Sequence, residues 1–424
     1  MSSNNHDDDY LEGEDEAFID LDDPNVEVVD DGEDRIETSS TEGDANEEAH
    51  EQSGADEEMD ASTPQNNTEI EDLNAIPDIE PERDDAQVTF AASNALPIHA
   101  VDVHPTDPTV LAAAGEGEVI YILRRSSDQL AVTTELTGHT DTISLLQFSP
   151  NGKYLASGSL DCSVCLWDTA TWERRHQFTD LYGEIMTMLW HPSSLLLLAG
   201  ADDAQIGMWN TEKGTLTMYF VGHRDAITCL TWTPDVKKLV SGSSDGSVTI
   251  FSPKTGTAEI TVGKDLSPDA AGVTILCFVG PDQCVVGCED GTIHVVSLQN
   301  GKVVTHFENV HEQAIESMKP NDTHTFLLTC GCDCKLVIWN ISDFTVRSVI
   351  EVGESIIPAR WIQSYKIVGG CSDGTVRVWD GRSSQTEPLQ VFMGHRRMIL
   401  DLAVTEDCVV TASDDGSVRV FQLE

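Results

Sequence analysis

The stretch Ser157-Gly-Ser-Leu-Asp-Cys-Ser-Val-Cys-Leu-Trp167 decides how this chain folds. Small residues lead into a tight turn at the Asp, and the residues after it follow a period of two rather than 3.6, as in a strand leaving a hairpin. The pattern returns as Ser241-Gly-Ser-Ser-Asp-Gly-Ser-Val-Thr-Ile-Phe251 and Gly369-Gly-Cys-Ser-Asp-Gly-Thr-Val-Arg-Val-Trp379. Weaker copies end at Leu123, Trp209, Val296, Trp339 and Phe421, so the eight ends are spaced 40 to 45 residues apart. Such a period marks a repeat architecture in which each unit buries its apolar face against the next.

Upstream of the turn each unit carries a second alternating stretch, which often stops at Pro. Ile98-His-Ala-Val-Asp-Val-His-Pro105 is one, and 143–150, 185–192, 227–234 and 273–281 are others. Units of four short strands at this spacing describe propeller blades. The expected fold is all-β, an eight-bladed propeller over 87–424. The last unit ends at Glu424 without an outermost strand, whereas Gln87-Val-Thr-Phe-Ala-Ala-Ser93 has strand character and no unit of its own. Residues 87–93 are therefore expected to close the ring on the last blade, which reduces exposed edges.

The rest of the chain is defined by charge. There are 74 Asp+Glu against 24 Lys+Arg, a net of −50. Residues 1–86 hold 33 of the acids and only Arg35 and Arg83, which leaves −31 there and −19 for 87–424. With so little apolar area to offset chain entropy, 1–86 is expected to be a disordered acidic tail. Two apolar islands, residues 17–21 and 26–29, read as incidental or as short docking motifs. An acidic surface repels phosphate backbones and anionic lipid, which argues against direct nucleic-acid or membrane binding. The longest apolar run, Leu195–Ala199, falls far short of the roughly 20 residues that a spanning helix needs. Eleven scattered cysteines without a cationic-apolar leader suggest free thiols in a reducing compartment. The expectation is a cytoplasmic monomer, with the nucleus as a second location, and a basic partner.

The Gly-His pairs at 138–139, 222–223 and 394–395, with Trp-Asp at 167–168 and 379–380, resemble the WD-repeat family over 87–424. The resemblance implies a hydrogen-bonded tetrad in some blades. His139, Ser157, Asp161 and Trp167 would form one, and His311, Thr329, Asp333 and Trp339 another. His223, Ser241 and Asp245, and likewise His395, Thr411 and Asp415, would be followed by Phe in place of Trp. The other four units lack the His, so they are expected to be held mainly by packing.

Several motifs imitate catalytic or metal chemistry. Gly242–Gly246 and Gly370–Gly374 match Gly-x-Ser-x-Gly, but they lie in strand-to-strand turns, where a nucleophile elbow needs a following helix. Cys330-Gly-Cys332-Asp-Cys334 suggests zinc, yet it fills the same turn slot and has no fourth ligand at finger-like spacing. Neither a Walker loop nor a dinucleotide fingerprint occurs, so no enzyme, metal or cofactor is expected.

What remains is a rim. The residue before each turn Asp reads Glu116, Leu160, Asp202, Ser244, Glu289, Cys332, Ser372 and Asp414, and the approaches to the inner strands add Asp141, Glu184, Asp225, Glu312 and Glu354. Converging carboxylates would attract a Lys/Arg-rich segment. Arg396 and Arg397 interrupt the ring on the eighth unit. The acidic tail with its Val-Glu-Val-Val-Asp island, Leu189-Trp-His-Pro192, Leu197-Leu-Ala-Gly200 and Gly207-Met-Trp209 are similar to the angio-associated migratory cell protein family. That family includes a fungal chaperone dedicated to the universal L-sixteen (eukaryotic L-ten) large-subunit ribosomal protein. The resemblance implies capture of that protein's basic N-terminal segment on an acidic propeller face until ribosome assembly. A signalling or migration scaffold, as the animal members are described, is the alternative.

Overall fold

A computed structural model describes residues 78–263, 266, 271–363, 365–383 and 386–423. The two apolar islands and most of the expected tail lie outside them. The described residues form eight four-stranded antiparallel sheets. Blades 1 to 7 run over 98–137, 143–178, 185–221, 227–262, 273–307, 315–351 and 356–392, each sheet in chain order from the inner strand outward. In blade 8 the inner three strands span 399–422, and Val88–Ala91 pairs with the third of them as the outermost strand, with Val88 opposite Val420 and Ala91 opposite Ser417. The inner strands contact one another in sequence, and that of blade 8 contacts that of blade 1. The ring is closed, as the missing outer strand implied.

Each inner strand opens with a buried β-branched residue: Ile98, Ile143, Ile185, Ile227, Val273, Ile315, Ile356 or Ile399. In all eight blades the pairing register shifts immediately after it. A bulge bends the strand and increases its twist, which re-aims the branched side chain toward the preceding blade. The preceding blade makes room for it with a small residue. A Cβ on Gly200 would lie 2.5 Å from Ile227 Cγ2, and one on Gly242 2.5 Å from Val273 Cγ1. The buried clusters accordingly straddle neighbouring blades. Ala112, Ile120, Ile143 and Trp167 join blades 1 and 2, and Val88, Leu111, Val410 and Val418 join blade 8 to blade 1.

The eight hairpin turns share one backbone geometry. The residue after the turn Asp, or its counterpart, has φ between 57° and 80° in every blade, at Glu118, Cys162, Ala204, Gly246, Gly291, Cys334, Gly374 and Gly416. Glycine adopts this left-handed conformation without strain, and half of the turns manage without it.

The structure brings both four-residue sets together. In blade 2, Trp167 Nε1 donates to Ser157 Oγ at 3.0 Å, Ser157 lies 2.8 Å from His139 Nε2, and His139 Nδ1 lies 2.9 Å from Asp161. The network is self-consistent when Ser157 donates to Nε2 and Nδ1 donates to the carboxylate. In blade 6, Trp339, Thr329, His311 and Asp333 repeat it at 2.9, 2.8 and 3.0 Å. In blade 4, His223 lies 2.7 Å from Ser241 and 3.5 Å from Asp245, and Phe251 packs edge-on to its ring. In blade 8, His395 lies 2.7 Å from Thr411 and 3.0 Å from Asp415. Blade 3, expected to be held mainly by packing, adds one hydrogen bond to it. Leu181 fills its His slot, and Trp209 Nε1 donates to Asp180 at 2.7 Å instead.

Residues 78–86, grouped by composition with the tail, run along blade 8. Ile79 N–H donates to the Arg396 carbonyl and Asp85 N–H to that of Met393, both at 2.8 Å. Asp78 pairs with Arg397 at 2.6 Å, Glu80 with Arg396 at 3.5 Å, and Asp84 with Arg419. Acid content alone did not separate these residues from the tail, because their partners lie more than three hundred positions away in the chain.

Two consequences can be measured. Ser157→Ala leaves both Trp167 Nε1 and His139 Nε2 without a buried partner, whereas Ser241→Ala orphans only His223. Each orphaned group costs about 1–3 kcal/mol, so Ser157→Ala should destabilise the propeller more than Ser241→Ala by about that amount in urea unfolding. Equal losses would contradict the bridging role of Ser157. The second concerns pH. Burial pushes the imidazoles of His139, His223, His311 and His395 below their ordinary value, so the folded protein holds them neutral. The unfolded chain protonates near about 6.5, so this contribution to stability is complete above that pH and lost as pH falls below it. His139→Gln combined with His395→Gln should therefore flatten the fall in melting temperature between about pH 7 and 5, and an unchanged slope would refute the assignment.

Candidate functional site

One end of the blades is built by two sets of loops, the hairpin turns and the lead-ins to the inner strands, and backbone hydrogen bonds tie one set to the other. The N–H of Glu116, Leu160, Asp202, Ser244, Glu289, Cys332, Ser372 and Asp414 donates to the carbonyl of Pro97, Thr142, Glu184, Ala226, Gly272, Ala314, Ser355 and Met398 respectively, at 2.9 to 3.3 Å. The turn aspartates add a second tie. Asp161, Asp203, Asp245, Asp333 and Asp415 accept from the N–H of Thr140, Tyr182, Arg224, Glu312 and Arg396, at 2.9 to 3.2 Å. The rim side chains thus project from a backbone fixed on both sides.

These ties also set the charge of the turn aspartates. Burial acts to raise Asp161, Asp245 and Asp415, but hydrogen bonds from Ser163, Ser247 and His395 respectively, with the lead-in N–H, outweigh it and hold all three below the ordinary carboxylate range. They stay anionic and face inward on their own blades.

The nine acids expected on the rim do not behave alike. Four have charged or hydrogen-bonding side-chain partners. Glu312 lies 2.7 Å from Lys335 Nζ, Asp414 3.4 Å from Arg397, Glu116 3.6 Å from His99, and Glu354 accepts from Ser372 Oγ at 2.8 Å. The remaining five, Asp141, Glu184, Asp202, Asp225 and Glu289, are exposed and form no ion pair among the described residues. They lie on blades 2 to 5. Asp202 also accepts from Glu184 N–H at 2.9 Å, which orients its carboxylate. On the other side of the ring the rim cations are already matched, since Arg377 pairs with Asp373 at 2.6 Å and Arg396 and Arg397 are held by Glu80, Asp78 and Asp414. Arg224, exposed on blade 4, is a cation inside the acidic arc.

The opposite ends of the strands carry a different set. Lys153, Lys213, Lys237, Lys238, Lys254 and Lys302 all sit in turns there, and Lys366 begins a strand there. Acids such as Glu212, Asp235 and Asp407 share those turns, so that end is mixed in charge while the rim is mainly acidic, a difference that orients an approaching polycation.

Sequence reasoning overlooked three rim or channel residues. Tyr182 is 83% exposed in the slot that follows the His position of blade 3, Asp203 occupies the turn beside it, and Glu316 is exposed near the start of the blade 6 inner strand. Aligning the lead-ins by distance from the inner strand would have placed Tyr182 with Thr140, Arg224 and Arg396.

Deeper in the ring, a cavity of about 670 Å³ is lined by Asp102, Gln147, Arg360, Trp361 and Asp401. Burial pushes Asp102 up to about 6 and also raises Asp401. Both carboxylates are consumed by structure. Asp102 accepts from Phe148 N–H at 2.7 Å and Asp401 from Val101 N–H at 3.0 Å, so each staples its blade to the next. The Cys330–Cys334 group occupies its hairpin turn, with Cys332 Sγ 3.7 Å from Glu316 and Cys334 Sγ 3.8 Å from the Cys332 carbonyl.

Against known proteins, the family description "IFT122 first beta-propeller" matches residues 97–380, and "WD domain, G-beta repeat" matches 386–422. Angio-associated migratory cell protein of Canis lupus familiaris is 28% identical over 365 residues, 80% of each chain. Among solved structures, Saccharomyces cerevisiae Sqt1 aligns with a TM-score of 0.74 at 18% identity, covering 80% of this chain and 99% of that one. Chaetomium thermophilum Sqt1, solved bound to the N-terminus of the ribosomal protein L10, aligns at 0.73 and 19% identity, covering 80% and 100%. Eight four-stranded blades, the His-centred networks and a family match over more than half of the sequence agree, and the chain belongs to the WD-repeat β-propeller family of the IFT122 first-propeller type.

Proposed function

We propose that this chain is a dedicated chaperone of a basic large-subunit ribosomal protein, holding that protein's N-terminal segment across the acidic rim until it joins the assembling large subunit. One observation carries the reading: five exposed carboxylates without ion-pair partners among the described residues, contiguous over blades 2 to 5 on a rim of fixed backbone. A Lys/Arg-rich peptide supplies the missing countercharge and forms charge-assisted hydrogen bonds that are stronger than neutral ones. The likeness of the fold to Sqt1, solved with a ribosomal-protein N-terminus in place, supports the same use of a propeller. In this reading the protein binds and releases without catalysis, acts in the cytoplasm as the client is made, and works as a monomer. A signalling or migration scaffold, suggested by the animal relatives, calls for an apolar docking groove, and the charge of the rim fits that less well.

Affinity purification after ribonuclease treatment should recover one basic ribosomal protein in stoichiometric amount. Recovery of none, or only of acidic partners, would sink the proposal. Binding of that protein's N-terminal peptide should weaken at least about tenfold when the salt shortens the Debye length from about 10 to 3 Å. Glu184→Lys combined with Glu289→Lys should cost roughly 100-fold in affinity at unchanged melting temperature, because a like charge replaces each countercharge.

A further inference from the structure

Tyr182 is the largest exposed apolar group on the acidic arc. A tyrosine ring 83% open to water at a position with fixed backbone gains nothing from folding. Its N–H is held by Asp203 at 3.2 Å, and Glu184, two residues on, is held by Asp202 at 2.9 Å. Gly183 between them is buried, and a Cβ there would lie 2.0 Å from Asp202 Oδ1, so the carboxylate packs directly under the loop. The ring is thus presented on a rigid platform beside three carboxylates.

The same spot collects charge from two blades. The Cys162 thiol on the blade 2 turn is pushed up by its partial burial and then by Asp202, Asp161, Glu184 and Asp203 together. A cation arriving there meets the carboxylates of Asp202, Asp203 and Glu184 around the exposed Tyr182 loop.

The chain shows elsewhere what its aromatic faces accept. Arg382 Cζ stacks 3.8 Å from the Tyr365 ring centroid, Arg347 Cζ 4.8 Å from that of Phe326, and Lys153 and Arg175 lie over Tyr154 at 5.0 and 5.5 Å. Each of those rings has a cation from this chain. Tyr182 has none among the described residues, although Arg224 occupies the corresponding slot of the next blade.

We propose that Tyr182 is the seat for an arginine side chain of the bound basic segment, with the guanidinium flat on the exposed ring and Glu184, Asp202 and Asp203 supplying its countercharge. This rests on the chaperone reading and sharpens it from general charge attraction to one anchored position. Arginine suits the seat better than lysine, because a planar, weakly hydrated guanidinium stacks on a ring while also offering donors to carboxylates at its edge. Buried aromatic–arginine contacts are the usual energetic centres of interfaces whose remaining contacts contribute little.

The test compares the wild-type chain with Tyr182→Phe and Tyr182→Ala. Calorimetry would measure their binding to a synthetic arginine-rich peptide and to its all-lysine counterpart of equal charge. Wild type should prefer the arginine peptide. Tyr182→Phe should keep that preference, whereas Tyr182→Ala should weaken arginine-peptide binding about five- to tenfold and bring the two peptides level. The melting temperature of both variants should match wild type, since the side chain is exposed. If Tyr182→Ala binds the arginine peptide as tightly as wild type, or loses both peptides equally, the seat is not Tyr182 and the chaperone reading survives. If wild type binds neither peptide, the chaperone reading falls with it.

Discussion

Ring closure is the constraint on which everything else depends. The last blade lacks its outermost strand until Val88–Ala91 pairs with Ser417–Gln422, and the core between blades 8 and 1 is complete only with Val88 and Ala92 in place. Without that pairing the third strand of blade 8 would be an unpaired edge and the seam between blades 8 and 1 would lose Val88 and Ala92. The closing strand therefore does more than cover an edge. It adds Val88 and Ala92 to the seam that the inner strands already form between blades 8 and 1, and the segment before it brings Asp78, Glu80 and Asp84 against Arg397, Arg396 and Arg419. The cations that would otherwise oppose a basic ligand on blade 8 are neutralised by the segment that closes the fold.

The rigidity of the rim comes from ties within each blade. Every hairpin turn donates a backbone N–H to the lead-in beside it, and five turn aspartates add a carboxylate cap to the next N–H. The same aspartates reach inward in four blades to a buried histidine, so the hydrogen-bond network that stabilises the blade also shapes the surface above it. Stability and presentation of the rim are one structure here. A change that breaks the inner network would be felt in the lead-in as well, which is why a test of binding must use residues, such as Glu184, Glu289 and Tyr182, that take no part in it.

Much of this was legible in the residues. The eight repeat ends all fall on third strands and are buried, from Leu123 to Phe421, because a period near 42 with alternating strands leaves few other ways to bury so many apolar side chains. The closing strand was legible as a deficit at one end and a surplus at the other. Other features were hidden. The bulge after each opening Ile or Val leaves no local mark, since it arises from pairing and from the need to aim that side chain into a neighbour. The third unit lacks the family's His, yet Trp209 finds a polar partner in Asp180, an aspartate outside that slot. The segment 78–86 looked like tail because its composition is that of the tail, while its partners come from the far end of the chain.

By itself the sequence determined the number and kind of repeating units, the acidity of the whole and the pairing that closes the ring, because these depend on spacing, composition and local periodicity. Only the tertiary structure decided which acids remain available. Glu116, Glu312, Glu354 and Asp414 are indistinguishable in sequence from Asp141, Glu184, Asp202, Asp225 and Glu289, but the first group meets His99, Lys335, Ser372 and Arg397 across the folded rim, and the second does not among the described residues. Whether a carboxylate is partnered depends on distances of a few ångströms between residues on the lead-in and on the hairpin of the same blade, and those distances exist only once that blade has folded.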